Sequence, residues 1–193
     1  QDNKKGIRDI IVGDYVEPGI WNKLYRLDIL KELRMPPDIK INEDVIFNFY
    51  AFVNSQKSVY EDLPFYHYIL RKGSAATSKI DQNKLFDPVR VRKEIFEYSL
   101  KNLDNKIQSV AYSSYLNSII NLYRVVSNSK LKEYKEGSFI LKRQIKEIKG
   151  NFMLSKRVKT ERFLFFHCTG LLMFIYNIYD KFLSKNTNKY EVK

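Results

Sequence analysis

The chain has 193 residues, 44% of them hydrophobic and 15% aromatic, which supports one packed domain with or without a helical appendage and argues against intrinsic disorder. It carries 34 Lys and Arg against 22 Asp and Glu, a net charge of +12. Its single cysteine excludes an internal disulfide framework and a cysteine-based zinc site. Seven glycines are few for a complete nucleotide-binding α/β domain, whose phosphate turns use them.

The first residue is Gln rather than Met, and no charged segment followed by an apolar run reads as a secretion signal. With no disulfides, a reducing cytoplasm is the expected compartment. Residues 1–18 are polar and end in the turn signal Glu17-Pro18-Gly19. Residues 20–25 alternate as a short strand would, with Trp21, Lys23 and Tyr25 on one face. Arg26 to Leu33 predicts a short helix stopped by Met35-Pro36-Pro37. Asn42 is an expected N-cap, with Glu43 and Asp44 in the first turn and Phe47, Tyr50 and Ala51 at helical spacing. Ser58 to Leu63 and Phe65 to Leu70 read as strands, separated by Pro64 and closed by Gly73-Ser74.

After Pro88 the pattern turns helical. Val91, Ile95 and Tyr98 mark one helix, and Ile107 through Val126 a second. Phe139, Leu141, Ile145 and Ile148 mark a third that ends at Gly150-Asn151, and a last run extends from Arg162 to Leu183. Cys168 lies in apolar surroundings and is expected to be a buried, inert thiol. The expected fold is therefore α+β and mainly helical: an α/β portion over residues 1–80, then a basic helical region over 81–193. The junction falls between Lys79 and Asp87.

Three segments carry candidate chemistry: Gly19-Ile20-Trp21-Asn22-Lys23-Leu24-Tyr25, then Asn42-Glu43-Asp44, then Tyr66-His67-Tyr68 running into Arg71-Lys72-Gly73-Ser74. A carboxylate in the first turn of a helix is favoured in its ionised form by the exposed N–H groups and the macrodipole, so Asp44 is available as a base. Indole and phenol rings stack on the apolar faces of sugars, and a lysine can bond a hydroxyl or neutralise a phosphate. A basic turn can clamp a diphosphate. His67 and His167 read as structural histidines, and no metal-ligand spacing, glycine-rich phosphate loop or Ser-His-Asp set occurs.

In this order the three segments resemble the acceptor-side half of an inverting family 2 glycosyltransferase of the GT-A fold. The resemblance covers residues 15 to 80. It implies transfer of a sugar from a nucleotide-sugar donor to a saccharide or lipid-linked acceptor, in the synthesis of a surface polysaccharide or another glycoconjugate. It implies Asp44 as the catalytic base with Glu43 in support, Trp21, Lys23 and Tyr25 beside the acceptor, and Arg71 and Ser74, with Lys72 optional, near the diphosphate. The divalent cation (Mg or Mn) of such enzymes is held by an Asp-x-Asp motif in the donor half. That motif is absent here, so the chain is expected to be the C-terminal part of an enzyme and inactive alone, with no metal site of its own.

The charge is uneven. Residues 1–96 hold 16 Lys and Arg against 14 Asp and Glu, whereas residues 97–193 hold 18 against 8. Such a basic half either meets an anionic partner or is a solvated helical surface. The apolar run from Phe163 to Tyr179 is short for a membrane span and is either a buried helix or an interfacial anchor on the inner face of the membrane. Aromatic residues are not interleaved with Lys and Arg, so nucleic acid is not expected as a partner. The competing class is a non-catalytic basic helical module that binds a membrane surface or nucleic acid.

Overall fold

The computed structural model describes residues 1–13, 16–63, 65–67, 69, 80–128 and 132–182. Arg71, Lys72, Gly73 and Ser74 lie outside the described residues. Eight α-helices are found among those described: α1 (Asn3–Val12), α2 (Leu27–Leu30), α3 (Glu43–Asn54), α4 (Gln82–Asn102), α5 (Asn105–Asn128), α6 (Lys135–Glu147), α7 (Lys156–His167) and α8 (Thr169–Phe182). The chain is mainly helical, and no strand forms among the described residues. It divides into two compact units, residues 1–69 with 80–115, and residues 70–79 with 116–193.

In the first unit, α1 is a helix where a polar lead-in was expected. Its ends are written in the sequence: the Asp2 side chain accepts from Lys5 N at 2.7 Å, and Gly13, with φ 73°, closes it by donating to Asp9 O. Between these caps Ile7, Ile10 and Ile11 recur at helical spacing and are all buried. They pack against α3, whose Val45, Ile46 and Phe49 are buried on the facing side. Helix α4 adds Leu85, Val89, Val91, Ile95 and Phe96 to the same core, and the start of α5 adds Ile107, Ala111, Tyr112 and Tyr115. Phe96 stacks on Tyr115 with centroids 5.9 Å apart.

Three strand expectations are corrected. Residues 20–25 form a bend and turn that run into irregular chain, and residues 58–63 and the described part of 65–70 are irregular. A strand exists only through a partner's N–H and C=O groups. Among the described residues the aromatic segment after Asn54 has one bridge, Asp2 to Lys57, continued by Ser58 N donating to Gln1 O at 3.1 Å. Val59, Leu63, Phe65 and Ile69 are left exposed. The alternation read at 21, 23 and 25 is nevertheless real: these three side chains are half-buried while Asn22, Leu24 and Arg26 between them are exposed.

Helix α4 begins six residues before Pro88, at Gln82, with Asp81 accepting from Lys84 N at 2.9 Å. Proline in a helix removes one hydrogen bond, but the buried Leu85, Val89 and Val91 on either side carry the helix through it.

The second unit comprises the end of α5, a 3-10 turn at Lys132–Tyr134, and α6 to α8. The single final helix expected from the sequence is two, broken at Cys168. Cys168 caps α7, is exposed, and is not the buried thiol expected. The break turns its side chain outward, while its neighbours Phe165 and Leu172 take the buried positions. Phe165 meets Tyr123 edge-on at 5.5 Å, and Lys142 lies 4.8 Å above the Phe165 ring. Arg124 grips the Asp180 carboxylate through Nε at 3.0 Å and through Nη2, beneath the Tyr176 ring face.

Candidate functional site

The site grows from the N-terminus of α3. The approach to this helix is set by a buried aspartate on α4. Asp87 Oδ2 accepts from the backbone N–H groups of Lys40 at 2.8 Å and Ile41 at 3.2 Å. Arg90 completes the clamp, donating to Asp87 Oδ1 at 3.4 Å, to Asp38 O at 3.1 Å and to the Asp38 carboxylate.

The chain then passes through Asn42, whose φ of 68° is the only positive one outside glycine among the described residues. Asn42 is the N-cap residue the sequence indicates, but its side chain makes no capping bond; its carbonyl accepts from Val45 N and Ile46 N instead. Such a conformation costs about 1–2 kcal/mol for a residue with a Cβ, least for Asn. Asn42→Gly is therefore expected to hold or slightly raise stability. Asn42→Ala is expected to cost about 1 kcal/mol, a fall of about 2–4 °C in Tm on thermal unfolding.

Asp44 follows in the first turn. Its Oδ1 accepts from Val45 N at 2.8 Å. Burial nonetheless raises its pKa above the ordinary carboxylate value, reinforced by the charge of Glu17 and opposed by backbone N–H groups and Lys23. The helix N-terminus was expected to favour the ionised form of Asp44; here desolvation outweighs that effect. Glu43 stands beside it, half-buried in the same turn.

The segment from Glu17 to Tyr25 lies against this helix start. Lys23 spends its three donors on the loop itself, on Glu17 O, on Gly19 O at 2.6 Å and on Asn22 Oδ1 at 2.6 Å. Burial pushes its ammonium down to about 8, against the pull of Glu17 and Asp44. Tyr25 donates to Asn48 Oδ1, and Asn48, fully buried on α3, donates in turn to Pro18 O. Burial raises the Tyr25 phenol to about 12, with Asp44's charge adding to it. The Trp21 indole folds over Gly19, where a Cβ would lie 2.2 Å from the ring nitrogen, so any larger residue there would have to displace the indole. Tyr66 stacks on Trp21 with centroids 4.6 Å apart and planes 29° apart.

Trp21, Lys23, Tyr25, Glu43 and Asp44 are thus gathered at one end of α3, and Tyr66 of the third segment joins them. Arg71 and Ser74 lie outside the described residues. His67 is exposed, as is His167, whose ring contacts Phe163 at 4.9 Å.

Two residues of this site were missed in the sequence. Asn48 is an amide inside an apolar helical run, and that anomaly was the available signal. Arg92, on α4, gave none. Its Nη1 is buried without a hydrogen-bond partner, and burial lowers its pKa while the charge of Asp44 raises it. A half-buried carboxylate of raised basicity and an aromatic pair can together hold a polyhydroxy ligand and accept a proton from it. No group of three His, Cys, Asp or Glu among the described residues is arranged to hold a metal ion. Comparison of the chain with protein-family models, with curated proteins and with solved structures gives no match.

Proposed function

We propose that this chain is the acceptor-side, C-terminal part of an inverting glycosyltransferase, acting in the cytoplasm on a nucleotide-sugar donor and a saccharide or lipid-linked acceptor. The observation that carries this reading is the meeting of its three motif segments: Trp21 with Tyr66, and Lys23 and Tyr25 around Asp44. In the proposed reaction an acceptor hydroxyl attacks the anomeric carbon. Its proton passes to the Asp44 carboxylate as the new C–O bond forms, and the bond to the diphosphate oxygen breaks with its electron pair leaving on that oxygen. The raised pKa makes Asp44 a better proton acceptor than an exposed carboxylate. Glu43 would orient the acceptor hydroxyl, and Trp21 and Tyr25 would line the acceptor site. Lys23 would act through the loop it holds, and Arg71 and Ser74 would lie near the departing diphosphate. By the resemblance, the divalent cation would be held by an Asp-x-Asp motif in the donor half of the complete enzyme, and no step here runs through it.

The test is Asp44→Asn in the complete protein, assayed with a panel of nucleotide-sugars and Mg or Mn. Transfer is expected to fall about a hundred-fold or more with donor affinity unchanged. The rate should also fall on the acid side at a pH above the ordinary carboxylate range. Because the folded-state pKa is raised, the buried charge opposes folding above that range, and stability is lost as pH rises through the folded pKa. Asp44→Asn removes that cost, so the variant should unfold no more readily than the wild type. Full transfer activity in Asp44→Asn would end the assignment.

A further inference from the structure

Helix α8 is apolar over about two thirds of its circumference, and its own unit uses only part of that face. Leu172 and Met173 are buried, and Tyr176 and Asp180 meet Arg124. Turned away from these, Leu171, Phe174, Ile175, Ile178, Tyr179 and Phe182 are between 43% and 76% exposed. At about 100° per residue they share one arc of about 140° that contains no charged or amide side chain. Lys181 stands at its edge. On the preceding helix Phe163 is also exposed, with Lys156 and Lys159 in solvent on its earlier turns.

We infer that this arc docks on an anionic lipid bilayer, with α8 lying in the plane of the headgroups and the basic residues of the unit facing the lipid phosphates. Charge selects this occupant over a second copy of the chain. Residues 132–182 carry eleven Lys and Arg against five Asp and Glu, so pairing two copies brings like charges together, whereas an anionic surface neutralises them. The face is also without hydrogen-bonding groups apart from the Tyr179 hydroxyl, which suits the acyl boundary better than a protein interface with its regular hydrogen bonds. Crossing the bilayer is not the mode: α8 has 14 residues, and no helix among the described residues is long and apolar enough to span. The inference does not depend on sugar transfer.

The experiment is co-sedimentation of the full chain with vesicles of phosphatidylcholine alone and with about a third phosphatidylglycerol, at low salt and at about 0.5 M salt. Binding to the anionic vesicles is expected to be at least about ten-fold tighter and to weaken with salt. The exposed double variant Phe174→Glu with Ile178→Glu should lose about ten-fold or more of it while keeping its circular dichroism spectrum. Equal binding to both vesicle types, or undiminished binding by the variant, overturns the inference. So does a concentration-dependent dimer in light scattering that the variant disperses, without vesicle binding, because a second copy would then cover the face.

Discussion

Replacing Asp87 by alanine is expected to lower the unfolding free energy by about 3 kcal/mol. One carboxylate, 2% exposed, accepts two backbone N–H groups from the segment that enters α3 and anchors Arg90 beside them. Each buried donor left without an acceptor costs about 1–3 kcal/mol. Asp87→Asn keeps one oxygen to accept these bonds and is expected to lose about half as much. In urea, where a chain of this size has a slope of about 2 kcal/mol per molar, the alanine variant should shift its midpoint down by about 1.5 M. A shift within about 0.25 M would mean that the clamp does not hold the segment. The loss also reaches the site: Lys40 and Ile41 immediately precede Asn42, so releasing them frees the left-handed turn that aims Asp44.

Truncating Phe49 to alanine should cost still more, about 3–5 kcal/mol. Phe49 is wholly buried on α3 and meets Tyr50 at 5.3 Å and Tyr98 at 5.6 Å, both edge-on. Its removal leaves a cavity between α3 and α4 and takes two ring contacts with it. Phe49→Leu refills much of that volume and is expected to lose about 1–2 kcal/mol. Thermal unfolding of the two variants separates the terms, since a cavity predicts a large gap between them. Equal losses would mean that the ring contacts, rather than the filled volume, hold the helices together.

The two substitutions also show where the sequence was legible. Phe49 belongs to a run with helical period, and α3, the helix after Asn105 and α6 were readable from that period alone. Asp87 gave no such indication, because one aspartate before a proline reads as a turn. The Pro88 signal was overridden by burial on both sides of it. Helix α1 was readable and was missed: Asp2, the three isoleucines and Gly13 spell its two ends and its buried face. The strands were misread for a different reason. Alternation records which side chains face inward, and it was right for Trp21, Lys23 and Tyr25, but it cannot supply the partner that makes a strand.

By itself, then, the sequence determined the mainly helical character, the amphipathic faces, the acidic first turn of α3 and the concentration of positive charge in the second half. These depend on neighbours within a few residues or on composition. Tertiary structure decided the rest. It brought Tyr66 onto Trp21, set Asn48 between Tyr25 and Pro18, and placed Arg92 where the charge of Asp44 acts on it. It also reversed the expected direction of the Asp44 pKa. The helix dipole is local and visible in the sequence, whereas desolvation depends on every segment that folds over the carboxylate.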